Sequence, residues 1–86
     1  MELKTLFEQA VSDSRSPSVK PSKDTSLQLY SLYKQATEGD IDDNGFPAES
    51  LDFIEKAKHE AWHSLRGISQ DDAMQKYINM INKLKE

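Results

Sequence analysis

The 86-residue chain contains no cysteine. Disulfides and thiolate chemistry are therefore excluded, and stability must come from apolar packing alone. It has only three glycines, at 39, 45 and 67. They are too scattered to form a phosphate-cradling loop. No stretch approaches the roughly 20 apolar residues needed to cross a bilayer. Met1-Glu2-Leu3-Lys4 does not open the apolar run of a secretory leader. No alternating run of β-branched residues argues for a sheet. There is no basic surplus either: 11 Lys and Arg stand against 15 Asp and Glu, a net charge of −4. Nucleic-acid binding is not expected without a basic face, although one anion can still be held in a local pocket. The length predicts one domain, 1–86, that buries only about 60% of its unfolded surface. Lack of cysteine fits a reducing, cytoplasmic compartment. Met1 favours a complete small protein.

What is present is helical periodicity. Leu3, Leu6, Phe7, Ala10 and Val11 recur at the i, i+3, i+4, i+7, i+8 spacing of one helix face. This pattern fades at Ser12, and 12–22 is rich in Ser and Pro. Ser22 is a suitable N-cap for a second helix, with Asp24 in its first turn. That helix carries Leu27, Leu29, Tyr30, Leu32, Tyr33 and Ala36 and stops at Gly39. Residues 40–50 read as a surface loop. Ser50 can cap a third helix bearing Leu51, Ile54, Ala57, Ala61, Trp62 and Leu65, closed by Arg66 and Gly67. Ser69 and Asp72 resemble a capping box before Met74, Tyr77, Ile78, Ile81 and Leu84. The fold class is all-α, with four helices.

Two features exceed what a bundle needs. On the second helix Leu29, Leu32 and Ala36 share one side. Leu27, Tyr30 and Lys34 form another stripe roughly 130° away, with Tyr33 between. The stripe is either a wide core face with tips in water or a ligand-facing surface. On the third helix Lys58 falls within the stripe of Ile54, Ala57, Ala61, Trp62 and Leu65. An unpaired ammonium buried there costs several kcal/mol by order of magnitude. It must snorkel to water or meet an anion. An anion that also meets Lys34 and the tyrosine hydroxyls would suit a phosphate.

His59-Glu60-Ala61-Trp62-His63 matches H-E-x-x-H, a zinc-hydrolase pattern. The two histidines lie roughly 140° and 180° from Ile54, on the face opposite the apolar stripe. They are expected to point into solvent. A catalytic zinc needs a third protein ligand, and no histidine follows His63. No metal site and no catalytic residues are expected; neither histidine has an evident Ser and Asp partner.

Tyr30-Ser31-Leu32-Tyr33-Lys34-Gln35-Ala36-Thr37-Glu38-Gly39-Asp40 resembles the Y-x-x-Y-K-Q-A-T-x-G-D signature of the acyl-CoA-binding protein family. Similarity continues through Leu51-Asp52-Phe53, Lys56-Ala57-Lys58, Ala61-Trp62, Gly67, Ser69, Asp72-Ala73-Met74 and Tyr77-Ile78. It spans about Phe7 to Leu84.

The resemblance implies an up-down-down-up four-helix bundle with a ligand bowl. It also implies a non-catalytic carrier and buffer of medium- to long-chain fatty acyl-CoA, with no cofactor. Tyr30, Lys34 and Lys58 match positions around the 3′-phosphate and adenine of CoA. Tyr77 matches a ligand-contacting tyrosine of the fourth helix, and Arg15 a basic position near CoA. Phe7, Ala10, Val11 and Leu27 match positions around the acyl chain and the mouth of the bowl; Tyr33 is also counted among the acyl-CoA-binding residues. The implied partners are the thioester and, transiently, a membrane surface or acyl-CoA-using enzymes; the carrier is expected to be a monomer. There are departures. Ile54 stands where many members have Lys, and His59 where many have Trp. Ser14, Ser16 and Pro17 suggest an early end to the first helix. The loop 41–50 is a little longer than usual. The alternative is a helical interaction module that keeps the fold without the ligand.

Overall fold

The computed structural model describes residues 2–42 and 52–85. Four helices form: α1 (Leu3–Ser14), α2 (Lys23–Glu38), α3 (Phe53–His63) and α4 (Gln70–Lys85). No strand occurs among the described residues.

Helix ends follow local chemistry. The Ser22 side chain accepts from the Thr25 N–H at 3.1 Å, the expected cap of α2. Ser69 Oγ likewise accepts from the Asp72 N–H at 3.1 Å ahead of α4. Gly39 ends α2 at φ 80°, ψ −151°, a conformation that only glycine adopts without strain.

Three boundaries differ from the sequence expectation. α1 runs on to Ser14, whose hydroxyl donates to the Val11 carbonyl at 2.6 Å and so satisfies one orphan acceptor of the last turn. The cap of α3 is Asp52, which accepts from the Glu55 N–H at 2.8 Å; the expected cap Ser50 lies outside the described residues, as do Leu51 and most of the 41–50 loop. α3 also stops at His63 instead of Gly67. Leu65 and Arg66 donate to carbonyls three residues back, which converts 64–67 to turns, and Gly67 takes φ 94°.

Contacts at both ends of the helices set the topology. Lys85 at the end of α4 pairs with Asp13 near the end of α1 at 3.0 Å, while Gln70 and Asp71 share a depression with Lys4 and Phe7. α1 and α4 therefore run parallel. The Gln35 side chain near the end of α2 donates to the Ile68 carbonyl just before α4, so α2 is antiparallel to α4. Trp62 Nε1 donates to the Gly39 carbonyl at 3.0 Å, and Phe53 and Ile54 share a groove with Lys23, so α3 is parallel to α2. The bundle is up-down-down-up.

Its core joins Phe7 and Ala10 of α1, Leu29, Leu32 and Ala36 of α2, and Ala73, Tyr77, Ile78 and Ile81 of α4. Val19 of the 15–22 connector is buried among them, and Ile41 just past α2 is buried as well. α3 packs against α2 and buries Trp62. Its stripe is therefore not the core face that the periodicity suggested: Ile54 is 63% exposed and the adjoining Phe53 87%. Leu6, expected on the core face of α1, is also exposed at 38%.

A polar knot fastens the ends of α2, α3 and α4. Gln35 is fully buried, and its Nε2 donates to Asp40 Oδ1 at 2.8 Å and to the Ile68 carbonyl at 2.7 Å. The same Asp40 oxygen accepts from the Gly67 N–H at 2.9 Å. The Gly67 amide, then the Gln35 side chain, hold the Asp40 carboxyl below its ordinary range, with Arg66 helping through its charge. Asp13 is lowered likewise, first by its bond to Lys85 and then by Gln9.

Two outcomes follow from the knot. Gln35→Ala removes two hydrogen bonds and strands a carbonyl, for a loss of about 2 kcal/mol. Thermal unfolding should show this as a fall of roughly 8–16 °C in midpoint. Asp40 binds a proton less readily folded than unfolded, so its stabilisation is present above the ordinary carboxylate range and is lost as pH falls through that range. Thermal midpoints measured from neutral to acid pH should therefore decline less steeply in Asp40→Asn than in the parent chain.

Candidate functional site

α2 presents Tyr30 and Lys34 one turn apart, and α3 presents Lys58 opposite them. The Lys58 ammonium lies 5.2 Å from the Tyr30 ring centroid, and that of Lys34 lies 6.0 Å away. Lys34 is also 5.5 Å from the Trp62 ring. Each such contact contributes about 0.5–1 kcal/mol when partly exposed. Lys34 donates to Glu38 Oε2 at 2.7 Å, and this bond raises its pKa against the opposing effect of burial. Lys58 has a looser acidic neighbour, Glu55, at 3.8 Å. The sequence placed Lys58 within a buried stripe. In the structure its side chain is 37% exposed, because the stripe itself faces an open groove. The ammonium reaches water while staying beside the Tyr30 ring.

Tyr30 forms a wall shared by two grooves. One, of about 310 Å³, is lined by Val11, Ser14, Arg15, Ser26, Leu29, Tyr33 and Tyr77 as well as Tyr30. The other, of about 580 Å³, runs between α2 and α3 along Pro21, Lys23, Asp24, Leu27, Phe53, Ile54, Ala57 and Lys58. Seven of the ten residues singled out from the sequence thus line one or both grooves: Val11, Arg15, Leu27, Tyr30, Tyr33, Lys58 and Tyr77. Lys34 joins them through its ammonium at Tyr30. Phe7 lies beneath, its ring stacked on Tyr33 at 6.1 Å and edge-on to Tyr77 at 5.2 Å, so it supports the floor. It also lines a depression beside α4 with Val11 and Tyr33. Ala10 is 4% exposed within the core.

Sequence reasoning missed the counter-charges Glu38 and Glu55, although their i+4 and i−3 positions relative to Lys34 and Lys58 are legible signals. It assigned Ile54 and Ala57 to the core stripe and saw Phe53 only as part of a motif. All three line the larger groove.

The H-E-x-x-H histidines behave differently from one another. His63 is exposed, whereas His59 is half-buried and not solvent-facing as expected. Their rings stack with centroids 6.4 Å apart and planes 24° from parallel. Among the described residues no group of three or more His, Cys, Asp or Glu is placed to hold a metal ion.

Two ammonium groups at an aromatic rim, beside an open and largely apolar groove on an all-α bundle, define a small ligand-binding domain. The family model described as "Acyl CoA binding protein" matches residues 4–81. The chain is 42% identical over 84 residues to an acyl-CoA-binding protein homolog of Manduca sexta, across 98% of this chain and 92% of that protein. It is 40% identical over 80 residues to the acyl-CoA-binding protein of Dictyostelium discoideum, across 93% of each. Among solved structures, the crystal structure of ACBP from Moniliophthora perniciosa superposes with a TM-score of 0.84 at 34% identity, over 98% of this chain and 80% of that one. The chain belongs to the acyl-CoA-binding protein family. Proteins of this family are named for binding, not for a reaction.

The Lys34–Glu38 pair is partly exposed, and such pairs contribute about 0–1 kcal/mol. Glu38→Gln, which removes the pair and leaves the Lys34 ring contacts in place, should therefore lower unfolding stability by less than about 1 kcal/mol in urea titrations followed by Trp62 emission. A larger loss would mean that the pair serves the fold.

Proposed function

We propose that this chain binds medium- to long-chain fatty acyl-CoA esters, and carries and buffers them without making or breaking a bond. The observation that carries the reading is the Tyr30 ring flanked by the Lys34 and Lys58 ammonium groups at the edge of an apolar groove, in a member of this family. Two cations and a phenol hydroxyl suit a dianionic phosphate. They grip the CoA 3′-phosphate, with the adenine beside Tyr30. Arg15 and Tyr77 meet other parts of CoA. Val11 and Leu27, with Phe7 and Ala10 behind them and Tyr33 alongside, shelter the acyl chain. Each Å² of apolar surface so covered contributes about 25 cal/mol. The ligand stays chemically unchanged, and no cofactor or metal takes part.

The chain acts as one binding unit and as a monomer, in the cytoplasm. It draws the ester from a membrane surface or an enzyme and delivers it to another acyl-CoA-using enzyme. No described helix is long and apolar enough to cross a membrane.

The test is calorimetry on a double cycle: parent, Lys34→Ala and Lys58→Ala, each against palmitoyl-CoA and palmitoyl-dephospho-CoA. Hydrogen bonds to charged groups contribute about 1.5–3 kcal/mol each and do not add within one network. Loss of the phosphate should weaken parent binding by roughly 3–5 kcal/mol, or about two to three and a half decades. Each lysine variant should bind the full ester much more weakly, yet differ little from the parent on the dephospho ligand. Parent affinities within about threefold for the two ligands would refute the phosphate assignment.

A further inference from the structure

Glu38 ends α2 in a place that does not suit a carboxylate. It is the last residue of that helix, and the final turn holds no basic residue. The carbonyl end of a helix carries partial negative charge, so an acid there is disfavoured. Its bond to the Lys34 ammonium, at 2.7 Å, runs in the weaker order. A lysine four residues ahead of a glutamate stabilises a helix less than the reverse arrangement. Glu38 is thus badly placed on two counts to serve the helix that it ends, and half of its side chain is exposed. The Y-x-x-Y-K-Q-A-T-x-G-D pattern leaves its position open, so the acid is a feature of this chain and not of the signature. Glu55 beside Lys58 is different. It lies 3.8 Å from its lysine and sits in the first turn of α3, where a carboxylate suits the helix.

We infer that Glu38 is an affinity-setting residue: it offsets the charge of Lys34 and so weakens the hold of this chain on the phosphate end of its ligand. The inference rests on the acyl-CoA reading and deepens it. A phosphate that approaches Lys34 also approaches Glu38, because a carboxylate oxygen lies 2.7 Å from the ammonium. The repulsion is local, since exposed charges are screened over about 8–10 Å at ordinary salt. Other charges near the clamp do not cancel it. Lys23 and Asp24 line the groove beside Lys58 and offset each other. Lys4 shares a depression with Glu8 and Asp71 beside Tyr33 and Thr37, which leaves that side acidic as well. The Tyr30 and Trp62 rings border the Lys34 ammonium at 6.0 Å and 5.5 Å, so it keeps its place when the Glu38 charge is removed.

The experiment is calorimetry on the parent and Glu38→Gln, each against palmitoyl-CoA and palmitoyl-dephospho-CoA, at low salt and at about 1 M salt, where screening shortens to about 3 Å. The substitution keeps the size of the side chain and a hydrogen-bond acceptor, and removes the charge. Glu38→Gln should bind palmitoyl-CoA about twofold to fivefold more tightly than the parent at low salt. It should match the parent on the dephospho ligand, and the gain should shrink at high salt. Unchanged or weaker binding of palmitoyl-CoA by the variant would overturn the inference while leaving the acyl-CoA reading standing. So would an equal gain on both ligands, which would mark the altered net charge of the chain and not a contact at the phosphate. A parent that binds both ligands equally would refute the phosphate assignment and this inference with it. A parent that binds neither would remove the acyl-CoA reading as well.

Discussion

The buried Gln35 amide and the Asp40 carboxylate it meets are the contact on which the arrangement depends. They join the end of α2 to the start of α4 through the Ile68 carbonyl and to the α3–α4 turn through the Gly67 amide. Beside them Gly39 turns its carbonyl toward Trp62, which holds α3 against α2. α3 is otherwise the least embedded helix, with Trp62 as its buried residue. Together with the packing of α3 against α2, this fastening sets the distance between Lys58 and Tyr30. Hydrogen bonding at one end of the bundle thus helps set the width of the groove between the two helices.

This divides the eleven-residue signature by physical duty. Gln35, Gly39 and Asp40 build the joint, and Ala36 packs in the core. Tyr30, Tyr33 and Lys34 remain on the surface side. The alternation follows from helical geometry: Leu32, Gln35 and Ala36 share one face, while Tyr30 and Lys34 share another. One short segment thus writes both the scaffold and the candidate site, and a substitution within it falls on the scaffold or on the candidate clamp according to the face it occupies.

Much of the fold was legible because its signals are local. Ser22 and Gly39 bracket α2, and Ser69 with Asp72 opens α4, through bonds within three or four residues of sequence. Val19 and Ile41 were not legible as core: each is a single apolar residue outside any periodic run, buried only by long-range packing. Gln35 sits on a core-facing position, but its amide disguises it, since its partners are 5 and 33 residues away. For α3 periodicity correctly gave an amphipathic helix. Periodicity cannot say what covers an apolar stripe, and here much of it borders an open groove instead of a core. The same limit applied to Lys58, whose position was legible while its exposure was not. The candidate clamp showed as an excess of aromatic and cationic residues beyond what packing needs; its acidic neighbours, though at helical spacing, were overshadowed by that excess.

The Lys34–Glu38 pair has a consequence for exchange. An ammonium already bonded to a carboxylate is not bare. On the proposed phosphate reading, an arriving anion would exchange places with Glu38, so part of the dehydration of Lys34 would be accomplished beforehand and Glu38 would return to water. Departure would be eased in the same measure, because Glu38 stands one helical turn away to receive the cation again. Such a built-in understudy would suit a surface that gives up its ligand as readily as it accepts it.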